Sequence, residues 1–180
     1  KNPAFAFDAG IPFGLNARQQ AAWFNWGGGG EMLREVFKQY GMINIPCGNT
    51  GVQMGGWYRK EIKTVADLKG LKMRIGGIGG TILAKLGVTP QQLPPGDIYA
   101  SLEKGTIDAA EFIGPHDDAK LGLNKVAKFY YYPGWWEGSA QNTMLVNLKA
   151  WEALPAAFKD VLVCAAREQD TMMTADRSEE

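Results

Sequence analysis

The chain has 180 residues, of which 46% are hydrophobic, enough for one large domain or for one domain and part of another. Its nineteen basic and nineteen acidic residues cancel, so charge gives no reason to expect nucleic acid or an anionic membrane as a partner. Because no apolar run reaches about 18 residues, the sequence predicts no transmembrane helix.

The first residues are typical of the interior of a domain. Lys1-Asn2-Pro3 does not begin a signal peptide, and the mainly apolar segment 5–8 follows at once. We therefore expect the sequence to be a fragment of a longer protein.

An amphipathic helix is predicted over residues 31–40, and Gly41 is expected to end it. Its inward positions are expected to be Leu33, Val36 and Phe37. The aromatic residues at positions 23, 24 and 26 end the preceding amphipathic segment, and core packing explains most of them.

Arg74 is the first candidate for a binding residue. Residues 71–75 alternate apolar and cationic side chains before Gly76 and Gly77, which predicts a short strand. Open α/β sheets bind ligands outside the carboxyl ends of their strands, and a guanidinium matches a carboxylate through two hydrogen bonds. The sequence therefore predicts an anion site at Arg74, with a salt-bridged surface arginine as the alternative.

Two helices are predicted after this strand. The glycines of GGIGG at 76–80 are expected to open a helix that runs through 81–86, and their spacing does not match the dinucleotide motif GxGxxG. Residues 96–105 predict a short packing helix that ends at Gly105.

Glu111 is the second candidate, because it interrupts an apolar strand predicted at 107–115. A carboxylate in apolar surroundings is costly unless it is protonated or acquires a cation or hydrogen-bond donors. The alternative is that Glu111 faces solvent at the end of the strand.

Aromatic residues are concentrated in a predicted loop around Pro133-Gly134, at positions 130–132, 135 and 136. We favour the wall of a binding pocket, because loops on rigid scaffolds carry binding residues. Stacking on a sugar is the rival, and single-stranded nucleic acid is disfavoured because no basic patch accompanies the rings.

Transition-metal chemistry is not supported. Cys47 and Cys164 form no CxxC pattern, and His116, expected in the turn after Pro115, is the only histidine. The run 63–111 also offers no nucleophile paired with a base, which favours binding of a small anion over its conversion.

The end of the chain predicts two helices, at 149–154 and from Pro155 onward. The second continues over 156–174 without a helix breaker, and proline is favoured in a first turn.

Four segments carry a resemblance to a known family: GNTGVQMGGW at 48–57, DLKGLKMRI at 67–75, DAAEFIGPHDD at 108–118 and YYYPGWWEG at 130–138. Together they resemble the solute-binding proteins of TRAP transporters, the DctP family, over nearly the whole chain. The pattern is most similar to the branch that binds 2-oxoacids such as pyruvate, in which the ligand carboxylate is held together with a metal cation.

The resemblance implies roles for individual residues. Arg74 corresponds to the arginine that pairs with the ligand carboxylate, and Gln53 to a glutamine that offers its side-chain oxygen to the cation. Glu111 and Glu137 correspond to the carboxylates that complete the oxygen shell of the cation. Phe112 stands where relatives often carry tryptophan, so an aromatic wall is kept and an indole donor is lost.

The expected ligand-binding residues are therefore Arg74, Gln53, Phe112, Trp136 and Glu137, and the expected metal ligands are Gln53, Glu111, the backbone of Phe112, and Glu137. Carboxylate and carboxamide oxygens are hard donors, so the expected cation is sodium or calcium. No catalytic residue or catalytic cofactor is expected.

The fold implied by the resemblance is α/β, a bilobed periplasmic binding protein of the type II-like class, present here as a truncated fragment. Residues 1–47 are expected to be part of the first lobe, 48–145 a nearly complete second lobe, and 146–180 helices that return to the first. The crossings between lobes are expected near 46–52 and 142–147.

The leading hypothesis for function is a periplasmic receptor that binds a pyruvate-like 2-oxo monocarboxylate with a cation and delivers them to TRAP permease subunits. It is not expected to be an enzyme. A metal-assisted enzyme with Glu111 or Glu137 as general base, and a sugar-binding receptor, are the alternatives. A homodimer through the C-terminal helix is left open.

Overall fold

A computed structural model describes residues 2–178, which divide into two compact units. The first unit comprises the chain up to Gly51 and the chain from Gly138 onward, and the second is Val52–Glu137. Within the described part of the chain, each helix is too short or too polar to cross a lipid bilayer.

The helices are α1 (Ala6–Ala9), α2 (Ala17–Trp26), α3 (Gly29–Lys38), α4 (Gly77–Lys85), α5 (Pro95–Lys104), α6 (Pro115–Leu121), α7 (Leu148–Ala153) and α8 (Ala156–Ser178). The strands are β1 (Met42–Asn49), β2 (Gly56–Tyr58), β3 (Lys72–Arg74), β4 (Thr89–Gln91), β5 (Ala109–Ala110), β6 (Phe129–Tyr131) and β7 (Gln141–Asn147). Short 3₁₀ helices occur at Pro3–Phe5, Val65–Leu68 and Leu123–Lys125.

The first unit is built on the antiparallel pair β1 and β7. Their register runs from Met42 opposite Asn147 to Asn49 opposite Gln141, with an irregularity between Pro46 and Gly48. One face of β1 packs its buried isoleucines against Ala166 of α8. Because β1 and β7 pair with each other, residues 48–49 and 141–145 lie in the first unit, whereas the sequence analysis placed them in the second lobe.

The predicted helix at 31–40 corresponds to α3, whose apolar face is buried. Leu33 and Phe37 form a core cluster with Phe24 of α2, and Val36 is half-buried. Helix α2 begins at a capping box, in which Asn16 and Gln19 each bind the other's backbone nitrogen. Trp26 is 90% exposed, so core packing does not account for this aromatic residue.

The second unit contains a five-stranded sheet with the order β4-β3-β5-β2-β6. Strand β3 runs parallel to β4 and β5, and β2 runs antiparallel to β5 and β6. The centre of this sheet is fully buried at Met73, Ala109 and Ala110, which belong to two apolar clusters. The parallel strands β3 and β5 therefore have their carboxyl ends at the same edge.

Several predicted elements differ from those observed in this unit. The strand predicted at 107–115 contains only Ala109–Ala110, because the backbone beyond it turns to bind neighbouring loops. The segment predicted as an aromatic loop begins as strand β6, which pairs with β2. His116, expected in a turn, lies within α6, whereas the helix predicted to open at the glycines of 76–80 agrees with α4, which begins at Gly77.

Gly56 is predicted to be essential for the approach of β2 to the end of β5. It has a φ of +94°, and a Cβ atom there would lie 2.5 Å from the Ala110 carbonyl oxygen. Gly70 is a matched control, since its φ is +75° and a Cβ atom would meet nothing within 4 Å. We expect Gly70→Ala to cost about 1 kcal/mol from backbone strain alone, and Gly56→Ala about 3 kcal/mol because overlap is added. Urea unfolding measures both, and equal losses would contradict this account.

Candidate functional site

The site is assembled at the carboxyl ends of β3 and β5. Arg74 is the last residue of β3 and pairs in register with Ala110, so Glu111, the next residue, lies beside it. The Glu111 backbone nitrogen donates to the Arg74 carbonyl oxygen at 3.0 Å. Two residues 37 positions apart in the sequence therefore become neighbours because their strands are parallel.

Arg74 and Glu111 form a largely buried ion pair. Arg74 Nη1 lies 3.0 Å from Glu111 Oε2, and the two side chains are 20% and 6% exposed. Nη1 also donates to the Glu111 carbonyl oxygen, and Nε donates to the Leu93 carbonyl oxygen at 3.4 Å. The guanidinium carbon lies 5.7 Å from the centre of the Phe112 ring. Arg74 is therefore not a surface arginine, and Glu111 does not face solvent, which were the two alternatives in the sequence analysis.

The loops that carry the other predicted ligands are joined by backbone hydrogen bonds. Met54 N donates to the Ile113 carbonyl oxygen at 2.8 Å, which joins the Gln53 loop to the Glu111 loop. Gly134 N donates to the Gln53 carbonyl oxygen at 2.9 Å, which joins the Gln53 loop to the segment before Glu137. Gln53 itself is buried, at 2% exposure.

Gly134 allows this joining because it has no side chain. A Cβ atom at this position would lie 2.7 Å from the Met54 carbonyl oxygen and 2.8 Å from that of Gln53. The segment then turns, and Glu137 N donates to the Gly134 carbonyl oxygen at 3.3 Å. The close approach of the two backbones at Gly134 thus fixes the position of the turn that leads to Glu137.

Trp136 is largely buried between the sheet and the start of α4. It belongs to the core cluster that contains Met73 and Leu83, and it contacts Gly79 so closely that a Cβ atom there would lie 2.7 Å from the Trp136 Cβ atom. Its indole nitrogen Nε1 is buried and donates to none of the described residues. Trp136 is therefore a rigid wall with one buried donor.

Some of the aromatic residues that were predicted to form a pocket wall have other contacts in the structure. Tyr130 stacks on Trp57 with ring centres 4.0 Å apart, and Tyr131 contacts Tyr58 edge to face. Tyr132 is exposed. The tyrosines of β6 are thus used in packing the sheet, which the sequence analysis did not predict.

Both glutamates of the site have raised pKa values. Burial raises the pKa of Glu111 from 4.5 to about 8, opposed by the positive charge of Arg74 and assisted by the negative charges of Glu137 and Asp118. Burial also raises the pKa of Glu137, again opposed by Arg74. One guanidinium therefore does not offset the cost of ionising both glutamates, so a proton or a further cation is favoured.

The donor set fits a hard cation. The metal ligands expected from the sequence would offer carboxylate oxygens from Glu111 and Glu137, a carboxamide oxygen from Gln53 and the backbone carbonyl of Phe112, which are the kinds of donor that such a cation prefers. Among residues 2–178 no group of three or more His, Cys, Asp or Glu side chains is arranged to hold a metal ion. A cation here would therefore depend on neutral oxygens as well as on carboxylates.

Asp118 is a residue that the sequence analysis missed. It is 1% exposed and accepts hydrogen bonds from Trp57 Nε1 at 3.1 Å, Tyr130 OH at 2.9 Å and Ile113 N at 3.1 Å. Burial raises its pKa, and these three donors oppose the rise. A signal was present, because Asp118 follows the helix start at Pro115 by less than one turn and can reach back toward the preceding loop.

Comparison with known proteins identifies the family. The sequence model of the DctP family, described as bacterial extracellular solute-binding protein family 7, matches residues 1–180. The chain belongs to this family. DctP proteins are solute-binding proteins, and the α/β architecture of the second unit agrees with the fold expected from the resemblance.

Three DctP-type relatives are closely similar. A monocarboxylate 2-oxoacid-binding periplasmic protein of Nostoc sp. is 54% identical over 173 residues, which cover 96% of this chain and 48% of that protein. A TRAP transporter solute-binding protein from Bordetella bronchiseptica, solved with calcium and picolinate, has a TM-score of 0.95 and 63% identity, covering 99% of this chain and 53% of that one.

The third is a TRAP periplasmic solute-binding protein from Pseudoalteromonas atlantica, solved with sodium and pyruvate. It has a TM-score of 0.90 and 47% identity, covering 96% of this chain and 52% of that one. The chain thus spans about half the length of each of these relatives.

The raised pKa of Glu111 predicts a pH dependence of stability. The unfolded chain loses this proton near pH 4.5, whereas the folded protein keeps it until about pH 8. The free energy of unfolding therefore falls as pH rises through this window, by at most on the order of 1 kcal/mol per pH unit. In Glu111→Gln, which cannot titrate, the fall should be much smaller. Urea unfolding between pH 4.5 and 8 in chelator and sodium-free buffer measures it, and an unchanged slope would sink the explanation.

Proposed function

We propose that the protein is an extracytoplasmic receptor of a TRAP transporter that binds a small 2-oxo monocarboxylate such as pyruvate together with sodium or calcium. The observation that carries the proposal is the largely buried Arg74–Glu111 pair, beside which Glu137 adds a second, half-buried carboxylate. This arrangement offers one cationic group to a ligand anion and an excess of negative charge to a metal ion.

Each predicted residue has a role in this proposal. Arg74 pairs with the ligand carboxylate through the guanidinium edge that does not face Glu111, because Nη2 donates to none of the described residues. Gln53, Glu111, Glu137 and the carbonyl of Phe112 hold the cation. The Phe112 ring and Trp136 bound the space for the alkyl tail, and the buried Trp136 Nε1 supplies a donor.

The bound cation would supply a positive centre that accepts oxygen atoms from the ligand as well as from the protein. The molecules found in the relatives share one chemical feature that supports this. Pyruvate carries an oxo oxygen beside its carboxylate, and picolinate carries a ring nitrogen in the same relative position. Both can therefore offer two adjacent donors to one metal ion.

A receptor is favoured over an enzyme because family 7 proteins bind solutes and because one of the two candidate bases, Glu111, is already paired. Glu111 is paired with Arg74, so it is not free to act as a general base without breaking that pair. A sugar receptor is less supported, since Trp57 and Tyr130 stack on each other. The periplasm as location and the TRAP permease subunits as partners follow from the same proposal.

A homodimer through α8 remains a prediction. The helix exposes apolar side chains at Phe158, Val161 and Met172, which a partner helix would cover. Sedimentation of the protein at several concentrations would measure the association.

The proposed function is tested by titrating pyruvate into protein freed of cations, and then into the same protein with calcium or sodium. We expect calorimetry to show binding only with the cation, since ligand and cation binding are thermodynamically linked. Succinate should bind much more weakly, because its second carboxylate would lie against the aromatic wall of Phe112 and Trp136, where segments 107–115 and 130–138 contain no lysine or arginine to pair with it. Equal pyruvate binding with and without cations would refute the shared site, and conversion of pyruvate followed by NMR would favour the metal-assisted enzyme.

Arg74→Lys is predicted to weaken pyruvate binding by well over tenfold. An ammonium keeps the charge but loses the planar fork, and a defective buried charge pair costs about 2 to 5 kcal/mol. Lys72→Arg in the same strand is the control, because its exposed side chain should leave affinity unchanged. Calorimetry at saturating calcium gives both dissociation constants, and wild-type affinity in Arg74→Lys would remove Arg74 from the ligand site.

A further inference from the structure

We infer that Asp118 is a positioning residue for the cation site, acting through the loop that carries Glu111 and Phe112. This inference rests on the proposed function, because it assigns Asp118 to the same site without contact to ligand or metal. Its basis is that the two carboxylate oxygens of Asp118 accept hydrogen bonds from different parts of the fold. Oδ1 accepts from Ile113 N, and Oδ2 accepts from Trp57 Nε1 and Tyr130 OH.

The Oδ2 side attaches Asp118 to the sheet. Trp57 lies in β2 and Tyr130 in β6, and their rings stack with centres 4.0 Å apart, so both donors are held by strand pairing and by each other. Both hydrogen bonds are charge-assisted, which makes them stronger than bonds between neutral groups. The carboxylate therefore has a fixed position on one face of a rigid sheet.

The Oδ1 side attaches the loop to that fixed point. Ile113 follows Phe112 directly, and its nitrogen binds Oδ1 at 3.1 Å while its carbonyl oxygen accepts from Met54 N at 2.8 Å. At the other end of the loop, Glu111 N is held by the Arg74 carbonyl oxygen. Between these two anchors lie the Glu111 side chain and the Phe112 carbonyl, both proposed to face the cation.

Burial makes this anchor costly to lose. Asp118 is 1% exposed, and water does not readily replace a buried acceptor for Ile113 N. Removal of the carboxylate would leave Ile113 held only through its carbonyl oxygen, which accepts from Met54 N. The carbonyl of Phe112, which belongs to the same peptide unit as Ile113 N, would then lose its fixed direction.

The test compares Asp118→Ala, which loses the acceptor, with Asp118→Asn, which keeps an oxygen for Ile113 N and loses the charge. Two readouts are used: the dissociation constant for calcium alone, and the hydrogen-exchange rate of the Ile113 amide by NMR. We expect Asp118→Ala to weaken calcium binding more than tenfold and to accelerate Ile113 exchange. Because the NH2 group of Asp118→Asn cannot accept from Trp57 Nε1, we expect this variant to recover only part of the affinity and of the slow exchange.

Two control variants separate positioning from general destabilisation. Leu123→Ala removes a fully buried side chain from the neighbouring apolar cluster and should lower the melting temperature while calcium affinity stays within threefold of wild type. Trp57→Phe removes one of the two donors to Oδ2 and leaves the bond to Ile113 N, so it should weaken calcium binding less than Asp118→Ala does. Loss of affinity in Leu123→Ala as large as in Asp118→Ala would overturn the inference.

The remaining outcomes distinguish this inference from the proposed function. Wild-type protein that fails to bind calcium or pyruvate overturns the proposed function, and the role of Asp118 with it. Wild-type protein that binds both, together with an Asp118→Ala variant of equal affinity, overturns the inference alone. If Asp118→Asn binds calcium as weakly as Asp118→Ala while its Ile113 amide still exchanges slowly, charge and not position is responsible, and the inference also fails.

Discussion

The burial of Arg74 against Glu111 is the constraint on which the candidate site depends. Removing either charge alone would leave the other in a poorly solvated position, so the two residues are energetically inseparable. The parallel pairing of β3 and β5 brings Arg74 and Glu111 together. Met73 of β3 and Ala110 of β5, which directly precede them in the sequence, are fully buried. The apolar core of the second unit thus holds these two charged groups in place at the carboxyl ends of the strands.

The same pairing explains why negative charge accumulates there. Arg74 faces Glu111 directly, and the charges of Glu137 and Asp118 are both felt at Glu111. A site with more carboxylates than guanidinium groups is unfavourable in isolation and becomes favourable when a cation arrives. Under the proposed function, affinity for a metal ion and instability of the metal-free site therefore have the same cause, which is this charge imbalance.

Much of this arrangement could be predicted from the sequence, and the reasons for the misses are physical. Arg74 and Glu111 were recognisable because a charge next to an apolar strand is unusual, and α3 because its apolar positions repeat at helical spacing. Asp118 was missed because its donors come from residues 5, 12 and 61 positions away, which no local pattern reveals. Strand β6 was taken for a loop because its tyrosines pack across the sheet and do not alternate with polar residues.

The joining of the site loops through backbone atoms has a consequence for how such a site can diversify. The links from Met54 to Ile113 and from Gly134 to Gln53 use main-chain groups, so they do not depend on the side chains that line the site, provided that position 134 stays glycine. The side chain of Phe112 can therefore change without moving the frame that carries the proposed oxygen donors, whereas Trp136 is packed into the core of the unit. Under the proposed function, selectivity for the tail of the bound acid and retention of the metal ion can in this way evolve on separate sets of atoms.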